Sequence, residues 1–244
     1  MIKVFAHRGF KSKYPENTLL AFKKAIEIGC DGIEFDVQMT KDERLVIIHD
    51  ETVDRTTDGQ GLVKNLTYEE ISRLNASHQS KERHGFNKIP LLTEYFEMVK
   101  DTGIISNIEL KNSVFEYEGI EQKVYDLIMT YGLKDKVVIS SFNHLSVLKM
   151  KQIDPVIKCG LLTADWLVDP GKYVKTAGIE CFHPAVYGMS KIKVQEIQSY
   201  GVEVNVWMGS EYTDLEGLVN MGVDTIITDF PDKLKQILRD YSFQ

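Results

Sequence analysis

A (β/α)8 barrel is what the sequence predicts, and three observations carry the prediction. Short apolar, β-branched runs alternate with longer helical patterns, the signature of repeated βαβ units and a parallel sheet. Nine such runs occur, but Gln38 and Leu45, which end the second and begin the third, lie seven positions apart. A parallel crossover needs about a dozen residues or more. The third run is therefore a returning hairpin strand, and eight parallel strands remain. Finally, 244 residues fit the length of one such barrel, roughly 200–250 residues.

The strands read, in order, Lys3–His7, Gly32–Gln38, Leu45–His49 (the returning strand), Ser106–Leu110, Val137–Ser141, Ile157–Leu161, Ile179–Phe182, Glu203–Trp207 and Asp224–Thr228. Helical periodicity places helices at about 18–29, 91–102, 119–131, 143–152, 190–200, 213–221 and 231–241, with a weaker one near 170–177. Pro15-Glu16-Asn17-Thr18 reads as the entry turn of the first helix, with Asn17 or Thr18 as N-cap. With the hairpin turn centred between Lys41 and Asp42, Glu34 falls opposite His49 and Asp36 opposite Ile47. The segment from about 51 to 90 is polar and has one short helical pattern at Thr67–Leu74. It reads as an insertion above the barrel mouth within one domain spanning residues 1–244.

Charge and composition narrow the class. With 29 Lys and Arg against 36 Asp and Glu, the net charge is −7, which argues against a general nucleic-acid or membrane-surface binder. There is no run of 18 apolar residues and no long apolar N-terminal stretch, so neither a membrane span nor a signal peptide is expected. Cys30, Cys159 and Cys181 form no CxxC and sit in or beside apolar runs. They read as buried, inert thiols of a reducing compartment, and a cytoplasmic location is expected.

In a barrel of this kind the reactive groups stand at the C-terminal ends of the strands. Polar residues collect there: His7 and Arg8 after the first strand, Glu34 and Asp36 on the second, His49 and Asp50 after the hairpin strand, Glu109 and Lys111 on the next. Glu34 and Asp36 are two apart and share a face. Three carboxylates near one axis repel one another unless a cation sits among them. An all-oxygen set favours a hard divalent ion, Mg2+ or Ca2+. His7 and His49 are the natural proton-transfer pair, since imidazole titrates near the operating pH. Arg8 and Lys111 beside the same carboxylates fit an anionic, phosphate-like substrate; the plainer alternative is that they neutralise their acidic neighbours. Phe142 and Trp207, at later strand ends, fit an apolar wall for a small organic group, or simply core. His183 also ends a strand, before Pro184, and is a further candidate for the mouth lining; His78, His84 and His144, in the insertion or on helix surfaces, carry no chemistry in this reading.

These residues also resemble the glycerophosphodiester phosphodiesterase family along most of the chain. The resemblance rests on Ala6-His7-Arg8-Gly9, Pro15-Glu16-Asn17-Thr18, Ile33-Glu34-Phe35-Asp36-Val37, Thr40-Lys41-Asp42, His49-Asp50, Arg55-Thr56-Thr57-Asp58-Gly59, Ile89-Pro90, Ile108-Glu109-Leu110-Lys111, Val204-Asn205-Val206-Trp207, Gly222-Val223-Asp224 and Thr228-Asp229. Their order and spacing make it specific. It implies a (β/α)8 barrel with an insertion after the second strand. It also implies Glu34, Asp36 and Glu109 as ligands of one divalent cation, His7 and His49 as the acid/base pair, and Arg8 and Lys111 as phosphate-binding cations. The implied reaction is hydrolysis of glycerophosphodiesters such as glycerophosphocholine or glycerophosphoethanolamine to glycerol 3-phosphate and an alcohol. The attack on phosphorus would come from a substrate hydroxyl, through a cyclic phosphate, or directly from water. The sequence departs from the family pattern at Asn75-Ala76-Ser77-His78 and Met208-Gly209-Ser210, both near the mouth, where substrate preference is set. The rival readings are hydrolysis of lysophospholipids, which needs an apolar groove for an acyl chain; a zinc hydrolase, against which the absence of an HxH pair counts; and a non-catalytic barrel domain.

Overall fold

In the computed structural model, which describes residues 2–209, 211–212 and 214–242, nine strands form one sheet in the order β1-β9-β8-β7-β6-β5-β4-β2-β3. The strands are β1 (Lys3–His7), β2 (Gly32–Met39), β3 (Leu45–Ile47), β4 (Ile105–Leu110), β5 (Val137–Ser141), β6 (Cys159–Thr163), β7 (Cys181–Pro184), β8 (Glu203–Trp207) and β9 (Thr225–Thr228). A parallel pairing of β1 with β2, His7 beside Glu34, closes the eight parallel strands into a barrel. β3 lies outside this ring, antiparallel on β2.

The helices are α1 (Leu19–Glu27), α2 (Tyr68–Ile71), α3 (Lys81–His84), α4 (Leu92–Val99), α5 (Ile120–Thr130), α6 (His144–Ile153), α7 (Pro170–Thr176), α8 (Lys191–Ser199), α9 (Leu215–Met221) and α10 (Pro231–Ser242). All of them except α3 correspond to helical patterns in the sequence, α2 to the short one at Thr67–Leu74. The expected start of α9 at residue 213 lies outside the described residues. α3 has no counterpart in the sequence reading, being a single turn too short to show a period.

Alternation along each strand divides the molecule into two layers. Val4, Ala6, Ile33, Phe35, Val37, Ile108, Leu110, Ile139 and Val206 face outward into the main apolar core with the helices. There α1 and α4 meet β2 through the rings of Phe22, Phe35 and Tyr95, which pack tilted and edge to face, with Phe35 and Tyr95 centroids 4.2 Å apart. Thr18 caps α1, its Oγ1 accepting from Ala21 N at 3.2 Å. The alternate residues face the barrel interior. Gly32 is required there, because a Cβ would sit 2.4 Å from the Phe5 ring. Gly160 likewise makes room for the imidazole of His183. The segment after β3 builds a small core of its own from Val53, Val63, Ile71, Ala76 and Ile89, packed on Val46 and Ile48 of the hairpin.

Three expectations need correction. The hairpin register is one position away from the one read in the sequence: Gln38 pairs with Val46 and Met39 with Leu45. The cause is a three-residue loop between Thr40 and Arg44, with Glu43 at φ 61°, the usual route to an odd-length hairpin. β3 also ends at Ile47 rather than His49. His49 nonetheless reaches the site, because the Gln38 amide donates to the carbonyls of Ile48, His49 and Asp50 and bends the chain out of the strand. His183 is not at the mouth either. It is buried inside the barrel, its Nε2 2.9 Å from the Asn205 amide, and burial pushes its pKa down to about 3.

Candidate active site

Inward-facing ends of β1, β2 and β4, with the chain after β3, supply one half of a cavity of about 110 Å³ at the C-terminal end of the barrel. This half carries His7, Arg8, Glu34, His49, Asn107 and Glu109. Phe142, Leu162, Trp207 and Ile227, from the β5, β6, β8 and β9 sides, form the other half. The site thus has a charged arc and an apolar arc. Phe142 and Trp207 meet edge to face, 5.9 Å apart.

Glu34, Asp36 and Glu109 each offer a carboxylate oxygen within 4.8 Å of the others, and all three are buried. Burial, then repulsion from Asp36 and Glu109, pushes Glu34 well above the carboxylate range; Glu109 is raised by burial and by Asp36. Burial also works against ionised Asp36, but Arg8, His49, Lys111 and the Asn17 amide together hold it down to about 2. Asn17 donates to Asp36 Oδ2 at 2.8 Å, while Asp36 Oδ1 is buried without a partner. Three convergent carboxylates, one of them with an unpartnered buried oxygen, fit a hard divalent cation. Zinc would favour nitrogen or sulfur donors, and among the described residues no imidazole or thiol joins the three carboxylates; the two imidazoles nearby are each committed at one nitrogen to another carboxylate.

Those commitments are alike. His7 Nδ1 lies 2.6 Å from Asp229 Oδ1, and His49 Nδ1 lies 2.6 Å from Asp50 Oδ1. A ring that donates Nδ1–H to a carboxylate keeps Nε2 as its free nitrogen. In His7 that nitrogen stands 3.9 Å from Glu34; in His49 it stands 3.4 Å from Lys111 Nζ. Burial lowers the His7 pKa against the opposing pull of Asp229.

Arg8 sits at φ 54°, a strained backbone for a residue with a side chain. That conformation turns its N–H toward Glu34 Oε2 at 3.0 Å and its guanidinium toward Asp36 and Glu16. Glu16 also receives Arg55, which chelates Asp50 in turn. A continuous chain of ion pairs and hydrogen bonds thus runs from Arg8 through Glu16, Arg55 and Asp50 to His49. Lys111 is 3.0 Å from Glu109 and 3.4 Å from His49 but does not itself line the cavity.

The structure brings together all nine residues singled out from the sequence. It adds Asp229, Asp50, Asn17, Glu16 and Arg55. Asp229 follows the last barrel strand, so the strand-end rule that picked out His7 and Glu109 would have found it. Asn17 and Glu16 act from the entry turn of α1, where a capping signal masks a contact to Asp36. Cys30, Cys159 and Cys181 are free, buried and held in the thiol form by burial, Cys30 and Cys159 at about 12.

Comparison with known proteins identifies the family. Residues 7–233 match the glycerophosphoryl diester phosphodiesterase family. A glycerophosphodiester phosphodiesterase of Bacillus altitudinis is 43% identical over 240 residues, covering 97% of this chain and 98% of the relative. One from Caldanaerobacter subterraneus is also 43% identical, with 97% of each chain covered. Among solved structures, a phosphodiesterase of Oleispira antarctica in complex with the product sn-glycerol-3-phosphate superposes with a TM-score of 0.84 at 27% identity, over 97% of this chain and 96% of that one. With the family match and these relatives spanning nearly its whole length, the chain belongs to the glycerophosphoryl diester phosphodiesterase family.

Proposed function

We propose the following division of labour for this glycerophosphodiester phosphodiesterase. Glu34, Asp36 and Glu109 hold one divalent cation, Mg2+ or Ca2+, which when bound supplies Lewis acidity toward a phosphoryl oxygen. Arg8 and Lys111 balance two of the three carboxylates, so a divalent cation leaves the site with positive charge to spare for a phosphodiester anion. His7 and His49 handle the protons through Nε2. One removes the proton from the attacking hydroxyl, and the other delivers one to the departing alcohol. Asp229 and Asp50 fix the tautomer and aim of each ring. Phe142 and Trp207 wall the glyceryl group. The buried amide of Asn107 and the indole N–H of Trp207, both without partners, are donors suited to its hydroxyls. The products are sn-glycerol 3-phosphate and an alcohol.

The observation that carries this reading is the pair of carboxylate-backed imidazoles facing one buried acidic triad. A leaving-group comparison tests it. With glycerophosphocholine, His7→Ala and His49→Ala each lose about 10²–10⁴-fold in kcat. With a nitrophenyl ester of glycerol phosphate, whose alcohol departs without protonation, the variant lacking the acid recovers and the variant lacking the base does not. Equal and undiminished turnover by both variants on both substrates contradicts the assignment.

A further inference from the structure

A second and larger groove adjoins the active site. It encloses about 340 Å³ between the turn after β1 and the segment that follows β3. The rings of Tyr14 and His84, 5.4 Å apart, join its two walls. Ala76 and Ser77 line it. They belong to the stretch at which the sequence departs from the family pattern, and the catalytic arrangement above makes no use of them.

The charge of the groove is one-sided. Lys11, Lys13, Arg55 and Arg83 line it, and Glu16 is the one carboxylate among the described residues that do. Glu16 is already taken, since its oxygens accept from Arg8 and Arg55. The Arg83 guanidinium is exposed and pairs with no described residue. Lys13 meets Asp232 at 2.6 Å in an ion pair open to water, a weak one. Such a gathering runs against the net charge of −7 carried by the whole chain. Like charges held together repel, and an anion among them relieves that repulsion.

The groove also reaches the catalytic groups from behind. Lys11 Nζ is 3.3 Å from Asp229 Oδ2, while the other oxygen of Asp229 holds His7. Arg55 chelates Asp50, which holds His49. Arg8, in the catalytic cavity, shares Glu16 with Arg55. The groove therefore lies beyond the charged arc. With the glyceryl group against Phe142 and Trp207 on the apolar arc, the departing alcohol faces this side.

We propose that this groove is a second anion site, separate from the cation centre, in which Arg83 and Lys13, with Lys11 and Arg55 beside them, take up a carboxylate or phosphate group. Both anions present the oxygens that guanidinium and ammonium groups bind best. The group arrives either on the departing alcohol of a diester or as a free anion. Only the first route rests on the phosphodiesterase reading above.

Two measurements on wild type and on a Lys13→Gln, Arg83→Gln double variant test the site and separate the routes. Both positions are exposed and outside the catalytic residues. The first is kcat/KM for glycerophosphoserine and for glycerophosphoethanolamine, which differ by one carboxylate on the departing alcohol, at saturating Mg2+ or Ca2+ and fixed ionic strength. Wild type is expected to favour the serine ester by about three- to tenfold, the scale of one or two exposed charge pairs. In the double variant the ratio falls to about one, with the ethanolamine ester within twofold of wild type. The second is calorimetric titration of inorganic phosphate into protein stripped of cations with EDTA and dialysed. Phosphate binding that the double variant weakens by about threefold or more, without a serine preference, makes the ligand a free anion and supports the site. If the serine preference is absent or survives in the double variant, and phosphate binding is the same in both proteins, the anion site is overturned while turnover of either ester leaves the phosphodiesterase reading intact. Turnover of neither ester, with phosphate binding that depends on Lys13 and Arg83, overturns that reading and leaves the site standing.

Discussion

At the scale of single residues, the site depends on what stands behind each imidazole. Asp229 is almost wholly buried and is shared by His7 and Lys11. Asp50 is more exposed and shared by His49 and Arg55. Asp229→Asn keeps an acceptor for His7 Nδ1 but removes the charge that steadies the protonated ring. The expected result is a fall in kcat of about 10²-fold, the low end of what an acid–base group contributes, with KM and cation affinity within twofold of wild type. Steady-state kinetics and a cation titration check it; a fall confined to KM would place Asp229 in substrate binding instead. Residue types and spacing made the charged groups legible in the sequence. What stayed hidden was pairing across the ring. Asp229 is 222 positions from His7, and the closure of β1 on β9 is what brings them together.

At the scale of elements, the β2–β3 hairpin decides where His49 stands. The strands, their order and the antiparallel return are all readable from run length and separation, because a short connection forbids a crossover. The register was not, since it turns on the left-handed backbone of Glu43, a property that residue identity alone does not disclose. Gln38 compensates. Its amide holds three successive carbonyls after β3, and its Oε1 accepts from the buried Tyr117 hydroxyl at 2.8 Å. Gln38→Leu leaves those groups unpaired and costs ~1–3 kcal/mol of stability by urea unfolding. It also releases the turn that aims His49, so kcat falls by up to ~10²-fold, as expected for a catalytic group displaced by about 1 Å. Stability lost with kcat unchanged would mean that His49 is aimed by Asp50 alone.

At the scale of the whole molecule, three strand ends and the chain after a hairpin converge their charges on one buried point, and a cation is what makes that arrangement favourable. Without it, Glu34 and Glu109 take up protons more readily folded than unfolded. Their contribution is present below the ordinary carboxylate pKa of 4.5 and lost as pH rises through the raised values. Asp36 runs the other way, but its loss comes only near pH 2. The cation-free protein should therefore lose Tm between pH 4.5 and neutrality on account of these two glutamates. Added Mg2+ or Ca2+ should raise Tm more at pH 7.5 than at pH 5, because protons compete with the metal for the same oxygens. At a cation concentration about a hundred times its Kd the gain is ~2.7 kcal/mol, or roughly 5–10 °C for a chain of this size. A cation-induced shift independent of pH would remove the glutamates from the metal site.

The most direct test of the central claim is the release of sn-glycerol 3-phosphate from glycerophosphocholine by protein stripped with EDTA and then titrated with Mg2+ or Ca2+. The expected result is turnover abolished by EDTA and restored by one of these cations in wild type, with no restoration in a Glu34→Gln, Glu109→Gln double variant that still folds. Turnover that survives EDTA undiminished, or that the double variant retains, would contradict a metal-dependent phosphodiesterase built on Glu34, Asp36 and Glu109.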